Sequence, residues 1–386
     1  MELIAATKDL VIGAHPYPGF PIVLWANMES CAPVNSFLRY YLLRGSIGSK
    51  RSWGSTGRAL YDFFSFLQAN DLQWQDVDRG EDKSLLSAYR DYCFDVAKLA
   101  RNTVRQRLLY ICEFYKFAHR NDWIEKLPFT YEQRASFHRN EGFLAHIHGG
   151  ENTVSVPDVM PRRQKDLPKF LSKDGCKALL KATTNPHHLM LIRMALLTGL
   201  RREELASFPL QYVVNPALYS GNNIQVRLDP KDGHNMMTKG TKARDLWISR
   251  RLMAALHHYV IHRRNERGSM AAQVHNNLFL NQNGEPYSGD GKSICRLISG
   301  IGQRAGVKVH THMLRHTYAT HTLVALQRDR GDTKIEPLVF LQRQLGHASI
   351  NTTMIYSHLV NELADEAVLK YDDELNDWID PTNDQT

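Results

Sequence analysis

Between Thr311 and His358 the chain reads THMLRHTYATHTL and then LGHASINTTMIYSH, which puts His312, Arg315, His347 and Tyr356 in one block. These residue types suit displacement at a phosphodiester. A phenol can serve as the oxygen nucleophile, guanidinium forks match the charge on the non-bridging oxygens, and imidazole or ammonium can move a proton to the departing sugar oxygen. An earlier phrase, LMLIRMALLTGLRREEL, adds Arg201 and Glu204, and TKGTKAR adds Lys239 and Lys242.

Such groups need rigid supports, and the local sequence supplies them. His312 and Arg315, three apart on a helix, share a face. Leu345-Gly346-His347 reads as a helix end with glycine in the left-handed cap, presenting the imidazole just beyond it. Ser349 or Asn351 then caps a new helix that carries Tyr356 one to two turns inside. The apolar run ahead of Gly199 is too continuous for a surface helix and stops at that glycine, so Arg201 falls at the rim of a buried helix. Glu204, at i+3, is placed to hold its guanidinium. Residues 223–228 (NIQVRL) and 243–248 (ARDLWI) have the β-branched and aromatic character of strands, and Lys239 to Lys242 form the turn before the second.

With these phrases in this order, the chain resembles the tyrosine recombinase family, which includes phage integrases, Xer-type resolving recombinases and integrase-like transposases of mobile elements. The matching phrases are TGLRREEL, TKGTKAR, HMLRH, LGH and TTMIYSH. The resemblance covers about residues 165 to 370, and only by architecture the part before. It implies that Arg201 and Arg315 clamp the phosphate, that Lys239 is the general acid and that His312 assists as acid or base. It also implies that His347 fills a position taken by His or Trp and that Tyr356 is the nucleophile. Thr238 stands where glycine usually precedes the lysine, so Lys239 and Lys242 both remain candidates for the acid.

Each phrase alone has an ordinary reading. HxxR on a helix is commonly a solvated face, Gly-His a cap, and a late tyrosine packing. Arg202, beside Arg201, reads as a surface or DNA-backbone contact. Two stretches depart from the family pattern: the Arg201 to Lys239 segment is long, with NPALYSGNN and DPKDGHN reading as loops, and QRDRGDTKIEP is extra between Arg315 and His347.

Composition agrees with a polyanionic partner. The chain has 386 residues and a formal charge of +8, with a pI near 9.1. Residues 361–386 hold nine acidic residues and one lysine, a net of −8, which leaves +16 on residues 1–360. Five cysteines without CxxC spacing read as reduced thiols of a cytoplasmic protein. The start lacks a signal-peptide pattern and no stretch reaches eighteen apolar residues. The adjacent pairs His187-His188 and His257-His258 lack ligand spacing, and there is no HExxH, so neither a catalytic metal nor another cofactor is expected.

The expected fold is mainly α with a small antiparallel β-sheet: an amino-terminal helical core-binding bundle, SAM-like, and a catalytic domain of the DNA breaking-rejoining type. Residues 1–30 read as an extension, 31–140 as the helical DNA-binding domain, 141–166 as a basic interdomain linker, 167–360 as the catalytic domain and 361–386 as an acidic tail. In the bundle, Leu60, Phe63, Phe64 and Leu67 form one apolar stripe, Leu85, Leu86, Tyr89, Cys93 and Val96 a second, and Val104, Leu108, Ile111, Cys112 and Tyr115 a third. Lys50, Arg51, Arg58, Arg101 and Arg105 on its polar side, with Arg162, Arg163 and Lys165 in the linker and Arg202 and Lys242 further on, are candidate DNA contacts. The resemblance implies double-stranded DNA sites as partners, a homotetramer across two sites, and accessory DNA-bending or directionality proteins. Ala364, Ala367, Val368 and Leu369 offer a face for docking on a neighbour. A type IB topoisomerase-like relaxing enzyme and a non-catalytic DNA-binding accessory factor remain open as alternatives.

Overall fold

The computed structural model describes residues 1–44, 50–80, 83–135, 153–164, 167–328 and 336–357. Lys165, residues 329–335 of the QRDRGDTKIEP stretch and the whole tail from 358 onward, with its candidate docking face, lie outside the described residues, as does the side chain of Arg51. The chain divides into two compact units, Met1–Lys165 and Asp166–Thr386.

In the first unit, β1 (Glu2–Ala5), β2 (Val11–Ile12), β3 (His15–Pro16) and β4 (Pro21–Leu24) precede four helices, α1 (Ala32–Leu43), α2 (Trp53–Ala69), α3 (Leu85–Asp95) and α4 (Arg101–Arg120). β1 pairs antiparallel with β4, Glu2 opposite Leu24 and Ala5 opposite Pro21. The extension formed by residues 1–30 thus contains strands and lies within the first compact unit. Phe20 and Val23 enter the same core as the helices. The buried amide of Asn35 ties α1 to β4, accepting from the Val23 N–H at 2.9 Å and donating to its carbonyl at 2.8 Å. All of the expected stripe residues are buried save Val96, which is 68% exposed. The reason is local: α3 ends at Asp95, and Val96 is its cap rather than a further turn. β5 (Tyr131–Ala135) pairs antiparallel with β6 (Thr153–Pro157), so residues 153–160, expected in the linker, belong to this unit; Val159 and Met160 are in its core. Strands of 5 residues each carry too short a period-2 pattern to have signalled the hairpin.

The second unit contains α5 (Lys173–Lys181), α6 (Pro186–Thr198), α7 (Arg202–Ala206), β7 (Asn223–Leu228), β8 (Arg244–Ser249), α8 (Arg250–His262), α9 (Arg264–Gly268), α10 (Lys292–Arg304), α11 (Thr311–Arg328) and α12 (Pro337–Leu345), followed by helical residues 350–357. α6 begins with Asn185 accepting the His187 and His188 N–H groups and Pro186 in its first turn. It is buried through Met190, Leu191, Ile192, Met194 and Ala195, as its unbroken apolar run requires. β7 and β8 pair antiparallel, Asn223 opposite Ser249 and Leu228 opposite Arg244, one residue later than expected for the second strand. Ile224, Val226, Leu228, Leu246 and Ile248 alternate inward to the core. The expected mainly helical architecture with small antiparallel sheets is the observed one. Among the described residues no helix is long and apolar enough to cross a membrane.

Candidate active site

Two glycine-terminated helices set the frame. α6 ends at Gly199 with φ of +62°, and a Cβ there would lie 2.5 Å from Tyr318 Cδ1 and 2.9 Å from Leu345 Cδ2, so both backbone and packing demand glycine. α12 ends at Gly346 with φ of +63°, where a Cβ would lie 2.4 Å from Arg244 Cδ. The last carbonyls of α12 are then free to orient cations, as the negative end of a helix favours.

Three arginines use them. Arg244 donates to the Gln344 carbonyl, Arg315 to Leu345 O at 2.6 Å and Arg201 to Gly346 O at 3.1 Å. Arg315, 2% exposed, also donates to Gly199 O at 2.6 Å, so one guanidinium bridges the ends of α6 and α12. Glu204, 1% exposed, accepts from the Arg201 backbone N–H at 2.7 Å, from its guanidinium at 3.1 Å and from Arg244 at 2.8 Å. Burial pushes Glu204 up, but Arg244, Arg201 and Arg315 outweigh it and hold the carboxylate below its ordinary value. Conversely, burial and then the neighbouring Arg201 pull Arg315 down to about 9, against the opposing pull of Glu204. One carboxylate facing three guanidiniums leaves an uncompensated positive charge in a mostly buried site. That is an arrangement that gains from an arriving anion.

Tyr356 lies on the helical residues 350–357, behind a turn in which Ser349 Oγ accepts the Asn351 N–H at 3.2 Å. It is 1% exposed and packs with Ala319, Leu323, Leu341 and Leu345 between α11 and α12. Burial raises its phenol to about 12, with Arg315 and Arg201 pulling the other way. The His347 ring is nearly parallel to it, 8° between planes and 6.4 Å between centroids, and His347 Nδ1 lies 2.9 Å from Thr353 Oγ1. Burial, then Arg315, Arg201 and Arg244, pulls His347 down to about 3. His312 lies one residue into α11 and is exposed; desolvation and then Arg315 lower its pKa.

Two residues of this site were not anticipated. His316 Nδ1 lies 2.8 Å from the Tyr356 hydroxyl, and its ring meets His312 edge-on at 4.4 Å. Its spacing of four from His312 was the available signal, masked by the stronger HxxR pattern. Arg244 closes the TKGTKAR phrase, and only the fold shows it turning from the start of β8 onto Glu204 and α12.

The lysines are placed differently. Lys239–Thr241 form a 3₁₀ turn ahead of β8 in which Gly240 (φ +71°) and Thr241 (φ +53°) are left-handed. Lys239 and Lys242 are exposed, and neither ammonium has a partner among the described residues. Arg202 is 41% exposed, 4.0 Å from Glu203. In the first unit Lys50, Arg58, Arg101, Arg162 and Arg163 are exposed, Lys50 over the Trp53 ring at 5.7 Å. Arg105 is half-buried and donates to Pro161 O at 2.7 Å; desolvation and then the nearby Arg163 and Arg134 lower its pKa, which marks a local crowding of cations.

A tyrosine packed beside an arginine cage, on a helical unit with a two-stranded sheet, defines the class of the tyrosine recombinases. Residues 169–362, just over half of the chain, match the phage integrase family, and the protein belongs to that family. Among its relatives, tyrosine recombinase XerC of Bacillus subtilis (strain 168) is 27% identical over 272 residues, covering 69% of this chain and 73% of XerC. Tyrosine recombinase XerA of Pyrococcus horikoshii is 25% identical over 280 residues, 70% of this chain and 88% of its own. The fold matches that of the XerH site-specific recombinase bound to a palindromic difH substrate, with a TM-score of 0.57 at 16% identity, covering 88% and 95% of the two chains. It also matches the Tn1549 transposon integrase in complex with transposon right end DNA, with a TM-score of 0.55 at 16% identity, covering 87% and 99%.

Proposed function

We propose that this tyrosine recombinase cleaves and rejoins double-stranded DNA at specific sites through a 3′-phosphotyrosyl intermediate on Tyr356, in the integration, excision or transposition of a mobile element. The observation that carries the reading is the cluster of Arg201, Arg244 and Arg315 against the single carboxylate Glu204, packed against the tyrosine. A guanidinium has five N–H donors. Arg315 commits two to carbonyls and Arg201 two to Glu204 and Gly346, so both keep donors for non-bridging phosphate oxygens. In this reading the phenol attacks phosphorus in line with the 5′ oxygen, the arginines with His347 and His312 stabilise the pentavalent transition state, and Lys239 protonates the leaving oxygen, with Lys242 as the alternative acid. The phosphotyrosyl bond stores the energy of the broken phosphodiester, and the 5′-hydroxyl of a partner strand completes exchange.

The first unit also contacts DNA in this reading, with Lys50, Arg58, Arg101, Arg105, Arg162 and Arg163 on backbone phosphates. Assembly is a homotetramer on two DNA sites, with accessory DNA-bending or directionality proteins as further partners. The test is to trap SDS-resistant protein–DNA adducts in cells expressing wild-type protein or Tyr356→Phe and to sequence the attached ends. Adducts at a few shared sequences in the wild type and none in the variant are expected. Adducts scattered without sequence preference would instead point to a relaxing enzyme, and adducts persisting in Tyr356→Phe would overturn the assignment of the nucleophile.

A further inference from the structure

The Tyr356 hydroxyl has one hydrogen-bond partner among the described residues, and that partner is a base. His316 Nδ1 lies 2.8 Å from it, and the two ring centroids are 5.7 Å apart. A buried phenol usually finds some acceptor, and a backbone carbonyl would satisfy it. Here the partner is a titratable nitrogen on α11, the helix that also carries His312 and Arg315. With the tyrosine 1% exposed, water does not compete for the proton.

We propose that His316 is a further catalytic residue, the general base that takes the proton of Tyr356 as the phenol attacks. The inference rests on Tyr356 being the nucleophile. In cleavage, the Oη–H bond breaks as Oη bonds to phosphorus, and the proton passes to His316 Nδ1, whose own hydrogen resides on Nε2. The P–O5′ bond breaks with its electron pair on the 5′ oxygen, which is protonated by a separate acid. In rejoining, the 5′ oxygen attacks, the phenolate leaves phosphorus and His316 returns the proton.

The surroundings keep the imidazole in the required neutral form. The groups facing it are His312 and Arg315 on its own helix, His310 ahead of that helix, and Tyr356 with its stacked neighbour His347 from the segment beyond α12. Among the described residues none of these is a carboxylate, and burial, then His312, Arg315 and His310, pulls His316 down to about 4. With the phenol near 12, the proton stays on oxygen until bond formation to phosphorus acidifies it. Transfer is thereby tied to the chemical step.

The test uses the full-length protein, a duplex carrying the cleavage sequence recovered from trapped adducts, and single-turnover cleavage from pH 6 to 9. His316→Asn retains a side-chain acceptor near the position of Nδ1 but has no basicity; His316→Ala removes both. Both variants are expected to slow cleavage about 10²-fold near neutral pH. Their rates should climb about tenfold per pH unit, following the phenolate fraction, while the wild type stays flat. A ring-fluorinated tyrosine at position 356, more acidic than tyrosine, should restore much of the lost rate in the Asn variant. A packing role would give no hydroxide dependence and no such rescue, and either absence overturns the proposal. So would an Asn variant that cleaves at the wild-type rate. Should wild-type protein form no adduct, or Tyr356→Phe form one, the failure would belong to the assignment of the nucleophile instead.

Discussion

The arginine cluster and the lysine turn belong to one unit and are assigned to one reaction, yet they are built on opposite principles. Arg315 is 2% exposed and Arg244 10%, and each guanidinium is fixed by carbonyls at the end of a helix. Lys239 and Lys242 project from a left-handed turn with no partner among the described residues. On the proposed mechanism the difference follows from the two tasks. Stabilising charge on a pentavalent phosphorus rewards donors fixed before the reaction, because they need no reorganisation at the transition state. Delivering a proton to a leaving oxygen needs a group that can reach, and an ammonium on a four-carbon stem reaches without a rigid seat. On that mechanism catalysis and folding are coupled in the cluster and separable in the turn.

The sharpest way to break this contrast is Arg315→Ala. Cleavage should vanish, and Gly199 O and Leu345 O would lose their donor, at about 1–3 kcal/mol for each carbonyl left unsatisfied. Adduct assays and thermal unfolding should register the loss together; a variant with the wild-type melting temperature would show that the cluster is not part of the scaffold. Lys239→Ala is the opposite case. Its melting temperature should stay at the wild-type value, within about 0.5 kcal/mol of stability, while cleavage slows about 10²–10⁴-fold. A substrate with sulfur at the bridging 5′ position, whose departure needs no acid, should recover the rate. Lys242→Ala run alongside decides the assignment, since a greater, sulfur-rescued loss there would move the acid to Lys242.

The same contrast explains what could be read from sequence. Gly199 and Gly346 were legible as helix stops because left-handed backbone and crowding both select glycine, and the arginine and histidine after them followed by position alone. The Leu60, Leu85 and Val104 stripes were legible because burial imposes helical periodicity. Glu204 was found because its partner Arg201 is three residues away. Arg244 and His316 were not: their partners, Gln344 and Tyr356, are 100 and 40 residues distant, and no local pattern encodes such a meeting. The β5–β6 hairpin escaped for the same reason. Its register joins residues more than a dozen positions apart, and its alternation, confined to Val154 and Val156, is too short to announce it.

A smaller effect separates cluster from turn by pH. His347, held down to about 3, and His316, at about 4, are neutral in the folded protein and titrate near 6.5 when unfolded. Below pH 6.5 the unfolded chain binds protons that the folded chain refuses, so the unfolded state gains as pH falls. Stability from this source is complete above the unfolded pKa and declines as pH drops from about 6.5 toward the folded values. The depressed Glu204 acts in the same direction, losing its contribution lower, as pH falls from its unfolded pKa through its folded one. The melting temperature of wild-type protein should therefore fall steadily between pH 7 and pH 5. His347→Asn removes one of these histidines and should flatten that decline, with a slope smaller by up to about 1.4 kcal/mol per pH unit before allowance for its partial exposure. Curves for wild type and His347→Asn that run parallel over this range would mean that His347 takes up its proton in the folded state, and that the arginines around it do not exclude a further positive charge.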